Sequence, residues 1–221
     1  SDPDGAVAFT VDYLDLAGNA GTQVTSVTSG GNVTFDNTAP TISSATIASN
    51  NAVNTLAKVG DVVTVTITSA EDLYSLASLT INSQSVDVAQ VTKASATEWS
   101  FTYTMTSSDT EGDLDFGFTA NDLTGNSSAL TYSSSLTFDR TAPTLSAVSI
   151  SSNNAVNTLA KVGDAITVTF TSSEEVQDPP TVTIGGTSAT VSGSGTSWSA
   201  TRTLTSSDAN GVIAFAVDFL D

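Results

Sequence analysis

Residues 61–68 read DVVTVTIT, and residues 164–171 read DAITVTFT. In both stretches an apolar side chain occupies every second position with threonine between, the pattern of a β-strand with one buried face. The stretches EWSFTYTM (98–105) and WSATRTL (198–204) alternate in the same way. No stretch has a convincing helical period, and threonine and valine dominate where a helix would prefer alanine, leucine, glutamate and lysine. The sequence therefore predicts an all-β protein.

The chain repeats itself with a period of 103 residues. SNNAVNTLAKVGD occurs at Ser49–Asp61 and again, without a difference, at Ser152–Asp164. The first fifteen residues also match the last fifteen, SDPDGAVAFTVDYLD against SDANGVIAFAVDFLD, two periods away. Periodicity of this kind indicates tandem modules. We expect residues 1–36 to be the last two strands of a preceding module, 37–139 to be a complete module, and 140–221 to be a module truncated after its sixth strand.

Each complete module is predicted to have seven strands. In the middle module we place them near 42–48, 61–68, 78–83, 85–91, 98–105, 113–120 and 128–138. Seven short strands in about 100 residues are typical of an immunoglobulin-like β-sandwich. Since the chain has no cysteine, no disulfide can join the sheets, and we expect Trp99, Trp198 and the phenylalanine and valine positions to fill the cores.

The composition excludes several classes of function. The 221 residues carry 23 acidic and 5 basic side chains, a net charge of −18, which repels nucleic acid and anionic membranes and suits the binding of cations. Cysteine and histidine are both absent, which removes thiolate nucleophiles, the usual zinc ligands and the usual general base. We expect no catalysis, no nucleic-acid partner and no direct membrane insertion. The first residues, SDPDGAVAFT, do not resemble a signal peptide, so we expect any export signal to lie outside this segment.

Short motifs at matching places in the repeat carry a family resemblance. DNTAPT and DRTAPT open the two units, TSSDTEG and TSSDANG precede the sixth strand, and DLAGN and DLTGN follow it. These motifs resemble the tandem bacterial immunoglobulin-like (Big-type) repeats of large secreted surface adhesins, and the resemblance covers essentially the whole chain. It implies a rod of similar modules on the bacterial cell surface or in a secreted protein, often with calcium at the module junctions.

Acidic residues supply candidate calcium ligands. Calcium takes about 6 to 8 oxygen ligands, and alternating strands would bring the loops after strands two, four and six to the N-terminal pole, where the chain enters a module. The candidates at this pole are Asp36, Glu71, Asp72, Asp122 and Asn126 in the middle module, and Asp139, Glu174, Glu175 and Asp221 in the last. From the opposite, C-terminal pole of a preceding module, the candidates are Asp2 and Asp4, or Asp109, Glu111 and Asp113.

Two alternatives remain open for these motifs. DLxGN also fits a tight turn in which the aspartate caps its own backbone, without any metal. At the second junction Arg140 replaces Asn37, and an arginine there could pair with Glu174 or Glu175 instead of a metal. The identical thirteen residues form the loop after strand one, which we expect to face the next module beside the TSSD loop; recent duplication is the other explanation.

We expect the chain to be a non-catalytic extender of a bacterial adhesin, stiffened by calcium and in contact with adjacent modules of its own polypeptide. One rival function is recognition of a glycan or protein, for which the loop containing Tyr74 is the visible candidate. The other rival is a filament in which an open sheet edge is completed by a strand of another copy.

Overall fold

The computed structural model describes residues 3–176 and 179–219. The chain divides into two compact units, Ser1–Arg140 and Thr141–Asp221. Strands dominate both units, and in the described ranges the only helical element is a 3₁₀ turn at Val88–Gln90. None of the described helical structure is long and apolar enough to cross a membrane. The prediction of an all-β, immunoglobulin-like fold is confirmed.

In the first unit, the strands between Ile42 and Phe138 form two facing sheets, called here the complete sandwich. The strands of the first unit are β1 (Gly5–Ala6), β2 (Thr34–Phe35), β3 (Ile42–Ser49), β4 (Leu56–Ala57), β5 (Val62–Ser69), β6 (Leu73–Ile81), β7 (Gln84–Ser85), β8 (Val91–Lys93), β9 (Glu98–Thr104), β10 (Gly112–Asp122) and β11 (Ser127–Phe138). One sheet has the order β3-β5-β9-β8 and the other β4-β11-β10-β6-β7. The first order corresponds to strands A, B, E and D of an immunoglobulin sandwich, and the second contains G, F and C.

The core of the complete sandwich follows from the alternation in the sequence. Val63, Val65 and Ile67 on β5 are fully buried, while the threonines between them point the other way. Phe101 on β9 is fully buried as well and meets Phe118 of the facing sheet edge to face, with ring centroids 6.4 Å apart. The tryptophans of both units are buried, which confirms their predicted place in the cores.

Two of the seven predicted strand positions in the complete sandwich are wrong. The strand predicted at 78–83 is β6, which begins at Leu73 and ends at Ile81 because Asn82 and Ser83, both with positive φ, form the turn to β7. The strand predicted at 85–91 is divided: β7 ends at Ser85, a 3₁₀ turn follows, and β8 begins at Val91. The Asp87 carboxylate starts that turn by accepting the Ala89 N–H at 2.9 Å.

The second unit has the same two faces with fewer strands. Its strands are β12 (Leu145–Ser152), β13 (Ala165–Ser172), β14 (Thr181–Ile184), β15 (Thr187–Ser188), β16 (Thr190–Ser194), β17 (Ser197–Thr203) and β18 (Phe215–Asp218). One sheet has the order β12-β13-β17-β16, matching that of the complete sandwich, and the other has the order β15-β14-β18. Ile166, Val168 and Phe170 of β13 pack against Val182 and Ile184 of β14 to form its core.

Residues 5–35 form a loosely paired hairpin, called here the N-terminal hairpin. Only Gly5–Ala6 and Thr34–Phe35 pair as strands, and two isolated bridges join Val11 to Val24 and Leu14 to Ala20. Many of its large apolar side chains are exposed, for example Leu14 at 68%. The hairpin therefore lacks a core of its own.

Candidate metal centre

Three acidic side chains converge at the N-terminal pole of the complete sandwich. Carboxylate oxygens of Asp36, Glu71 and Asp122 all lie within 4.8 Å of one another. Asp36 belongs to the peptide that leads into β3, Glu71 to the loop between β5 and β6, and Asp122 to the end of β10. The alternation of strand direction brings these distant positions to one pole. All three were among the candidate ligands.

The Asp122 carboxylate is held by the DLTGN turn. Asp122 is only 2% exposed, and its Oδ1 accepts the backbone N–H groups of Thr124, Gly125 and Asn126 at 2.7 to 2.9 Å. Its Oδ2 accepts the side-chain amide of Asn126 at 2.9 Å. Burial acts to raise the pKa of Asp122, but the hydrogen bonds from Asn126 and Thr124 outweigh it and lower the pKa to about 2. The carboxylate is therefore ionised at neutral pH.

The same motif forms the same kind of turn in the N-terminal hairpin. Oδ1 of Asp15 in DLAGN accepts the N–H groups of Ala17 and Asn19, each at 2.9 Å, and Oδ2 accepts the Asn19 side-chain amide at 2.9 Å. These bonds, with the side chain of Asn19 first, lower the pKa of Asp15. The motif is thus a carboxylate-centred turn in both places, and a role in metal binding stays a prediction.

Hydrogen bonds tie the peptide around Asp36 to this turn. The Asn126 side-chain amide lies 3.2 Å from the Asp36 carbonyl oxygen. The hydroxyl of Thr124 lies 2.9 Å from Asp122 Oδ1 and 3.3 Å from Asp36 Oδ2, so it can donate to either carboxylate. Sequence reasoning missed Thr124. The available signal was the threonine of DLTGN, which replaces the alanine of DLAGN.

The adjacent candidate ligands Glu71 and Asp72 differ in their surroundings. Glu71 Oε1 accepts the Thr41 N–H at 3.2 Å, so this carboxylate also holds the start of the module. Asp72 is exposed and lies outside the three-carboxylate cluster. The chain bends at Glu71 between β5 and β6, and the Glu71 carboxylate lies in the cluster whereas the Asp72 side chain is exposed.

Asp4 is hydrogen-bonded to the linker and is not a member of the three-carboxylate cluster. Its Oδ1 accepts the Asn37 N–H at 2.9 Å, and its Oδ2 accepts the Thr38 hydroxyl. These bonds, the Thr38 hydroxyl first, lower the pKa of Asp4. Asp2, the other candidate from this stretch, lies outside the described residues.

The acids predicted at the C-terminal pole are used within the first unit. Asp109 is 1% exposed and accepts hydrogen bonds from Tyr103 at the end of β9 and from Thr106 in its own loop. Glu111 accepts the Arg140 N–H at 3.0 Å and forms an ion pair with its side chain at 3.7 Å. Oδ1 of Asp113 accepts the hydroxyl of a neighbouring threonine on β11 at 2.8 Å. Asp109 is therefore enclosed in its loop rather than presented at the surface of the pole.

The remaining candidates lie in two places. The Asp139 N–H donates to the Ala57 carbonyl at 2.9 Å at the end of the complete sandwich. In the second unit Glu174 is half-buried and its backbone carbonyl accepts the Ser172 hydroxyl at 2.6 Å, while Glu175 is exposed. Asp221 lies outside the described residues. These positions stay predictions as metal ligands.

The identical thirteen residues are stabilised by their own side chains. Asn51 donates its side-chain amide to Asp61 at 2.8 Å, and the Asp61 carboxylate also accepts the Lys58 N–H at 2.9 Å. Gly60 has φ of 94°, a conformation that glycine adopts readily. The second copy repeats these bonds, with Asn154 donating to Asp164 at 2.8 Å. Substitution of Asn51 or Asp61 would leave a backbone N–H of this loop without its partner, a reason for keeping these residues that sequence reasoning missed.

A family comparison adds to this picture. Residues 97–201 match the family model described as a bacterial Ig-like domain (group 3). The match spans about one repeat period and slightly less than half of the chain, from the residue before β9 in the first unit to β17 in the second. The comparison with curated proteins found no match, and neither did the comparison with solved structures.

Proposed function

We propose that the chain is a non-catalytic extender segment of a repetitive bacterial cell-surface adhesin, in which calcium stiffens the connections between consecutive immunoglobulin-like modules. The observation that carries this proposal is the convergence of Asp36, Glu71 and Asp122 within 4.8 Å. Asp36 belongs to the linker, whereas the other two belong to loops of the sandwich. A cation shared by all three would hold the linker against the sandwich.

Electrostatics favours a cation at this place. Like charges a few ångströms apart repel, at about 4 kcal/mol for two unit charges 4 Å apart near a protein surface. A divalent ion would replace this repulsion with attraction. Three carboxylates supply part of the about 6 to 8 oxygens that calcium takes, and backbone carbonyls and water supply the rest in such sites.

The DLTGN turn has a defined part in this proposal. It keeps the Asp122 carboxylate ionised and fixed, because four donors from residues 124–126 hold Oδ1. A fixed ligand loses little conformational freedom when an ion binds. Asp36 is the ligand that calcium would restrain, and restraint of the linker is the proposed function.

The family match supports the setting. A bacterial Ig-like domain at residues 97–201 fits a structural module in a surface-bound or secreted protein. We propose residues 37–139 as one complete module, flanked by parts of two others at 1–36 and 140–221. Its partners are then the adjacent modules of the same polypeptide.

Thermal unfolding combined with solution X-ray scattering tests the proposal. Both are measured in millimolar calcium and again with excess chelator. We expect calcium to raise the melting temperature, since a ligand at 100 times its Kd adds about 2.7 kcal/mol to the folded state, and to lengthen the particle. An unchanged melting temperature together with an unchanged scattering profile would contradict the proposal.

A second candidate function is recognition of a glycan or protein through Tyr74. Its side chain is 71% exposed on β6, and exposed aromatic rings are common contacts for sugars and proteins. A glycan array probed with the chain and with Tyr74→Ala tests this function. Binding that disappears in the variant would support it, and an array without signal would dispose of it.

A further inference from the structure

Two acidic side chains make the same hydrogen bond to the backbone at two places in the repeat. Oδ1 of Asp4 accepts the Asn37 N–H at 2.9 Å. Oε1 of Glu111 accepts the Arg140 N–H at 3.0 Å. Asn37 and Arg140 lie one period apart, and each directly follows a linker aspartate. The backbone of each linker is therefore bound by a carboxylate from the strand pair that precedes it.

The register of the strands explains why this bond recurs. Gly5 lies opposite Phe35 in the N-terminal hairpin, and Gly112 lies opposite Phe138 in the complete sandwich. In both places the acid directly precedes the glycine, and the linker directly follows the phenylalanine. Because the two strands are antiparallel, the acid lies beside the first residues of the linker.

The first linker is bound on two sides by protein groups alone. From the complete sandwich, the Asn126 side-chain amide lies 3.2 Å from the Asp36 carbonyl oxygen. From the N-terminal hairpin, Asp4 accepts the Asn37 N–H through one carboxylate oxygen and the Thr38 hydroxyl through the other. Three consecutive linker residues thus have partners in the segments before and after them.

The second linker has additional contacts through the side chain of Arg140. Its guanidinium forms an ion pair with Glu111 at 3.7 Å and donates to the Ser107 carbonyl oxygen. The paired side chains are 41% and 38% exposed, and ion pairs at that exposure contribute little to stability. The contact that the two linkers share is the hydrogen bond from the backbone N–H to the carboxylate.

We propose that Asp4 and Glu111 are positioning residues for the two linkers, and that each fixes the direction in which the chain leaves the preceding strand pair. A hydrogen bond between a backbone N–H and an ionised carboxylate is stronger than one between neutral groups. This bond needs no metal, and it acts on a different side of the first linker from the cluster of Asp36, Glu71 and Asp122. It goes beyond the proposed calcium site, since it holds a linker in calcium-free solution as well.

Amide hydrogen exchange of the 221-residue chain, resolved by NMR in excess chelator, tests this proposal. A hydrogen-bonded amide exchanges only after the bond opens. In Asp4→Ala the Asn37 amide should therefore exchange several-fold faster than in the original chain, while the Arg140 amide stays unchanged. In Glu111→Ala the pattern should be the reverse, with faster exchange at Arg140 alone.

Two further variants separate the hydrogen bond from a general loss of structure. Glu111→Gln keeps an acceptor oxygen at the same place, so the Arg140 amide should keep most of its protection. Asp113→Ala is the matched control, because Asp113 lies on the same strand and its carboxylate accepts the Thr137 hydroxyl at 2.8 Å. It should leave the exchange of the Arg140 amide unchanged.

Three results would overturn the proposal. The first is equal exchange of the Asn37 amide in the original chain and in Asp4→Ala. The second is acceleration of both linker amides by either alanine variant, and the third is loss of their protection on adding chelator alone. Failure of calcium to bind would leave the expected exchange pattern intact, so the two proposals fail separately.

Discussion

The hydroxyl of Tyr103 donates to Oδ1 of Asp109 at 3.0 Å, across the loop that joins β9 to β10. Asp109 is 1% exposed, and its other oxygen accepts the Thr106 N–H at 2.6 Å. In the second unit Arg202 stands in place of the tyrosine, and its Nη2 lies 2.6 Å from Oδ1 of Asp208. The two units therefore close the same TSSD loop with different donors.

Removing the tyrosine hydroxyl should destabilise the complete sandwich. Burial and the neighbouring Asp109 carboxylate raise the pKa of Tyr103, which keeps the hydroxyl protonated as a donor at neutral pH. Tyr103→Phe leaves a buried carboxylate short of one hydrogen bond, at a cost of about 1 to 3 kcal/mol. Urea unfolding measures this change. Tyr132→Phe is the control, since that ring stacks on Phe116 and should keep its packing; equal losses in both variants would contradict the assignment.

The Asp122 turn should make stability depend on pH in acid. The pKa of Asp122 falls from its ordinary value of 3.8 to about 2 on folding. The stability that the ionised carboxylate adds to the folded state is therefore complete above about pH 4. The contribution is lost as the pH falls toward 2, where the folded-state carboxylate takes up its proton. Asp122→Asn removes this titration, and the difference in unfolding free energy between the two proteins should shrink between pH 4 and pH 2. A difference that is constant over this range would argue against the turn as the cause.

The loop of thirteen identical residues should lose local stability when the side-chain amide of Asn51 is removed. Asn51 donates to Asp61 and accepts the Val53 N–H at 3.1 Å, so Asn51→Ala removes both bonds and should cost about 1 to 3 kcal/mol locally. Hydrogen exchange measures this effect, and the backbone amides of the loop should exchange faster in Asn51→Ala than in the original chain. Asn54→Ala is the matched control, because Asn54 holds the loop through its backbone carbonyl, which accepts the Ser49 N–H at 3.1 Å. Similar exchange in both variants would remove the explanation offered for the identity of this loop.

Alternation predicted most strands, and a bulge explains the clearest failure. On β6 the buried residues are Leu73, Leu76, Leu79 and Ile81, which are not spaced by two. The register against β10 shifts twice along this strand, and Ser78 has positive φ, so the alternation is interrupted without a signal in residue type. The start of the strand was therefore missed.

The N-terminal pole was easier to foresee than the roles of its individual residues. Strand direction alone brings Asp36, Glu71 and Asp122 to one end. The separation of Asp72 and the enclosure of Asp109 depend on side-chain direction and on loop hydrogen bonds, which the spacing of acids does not contain. The thirteen-residue loop is similar, because the hydrogen bond between Asn51 and Asp61 links residues 10 positions apart.

Calcium binding measured by titration calorimetry tests the central claim most directly. The original chain should bind calcium with a measurable heat of binding. Asp36→Asn removes one charged ligand, so it should abolish calcium binding or lower the affinity on the order of 10-fold. Asp72→Asn, which removes an exposed acid just outside the three-carboxylate cluster, should bind calcium like the original chain. The absence of calcium binding in the original chain, or equal weakening in both variants, would contradict a calcium site built by Asp36, Glu71 and Asp122.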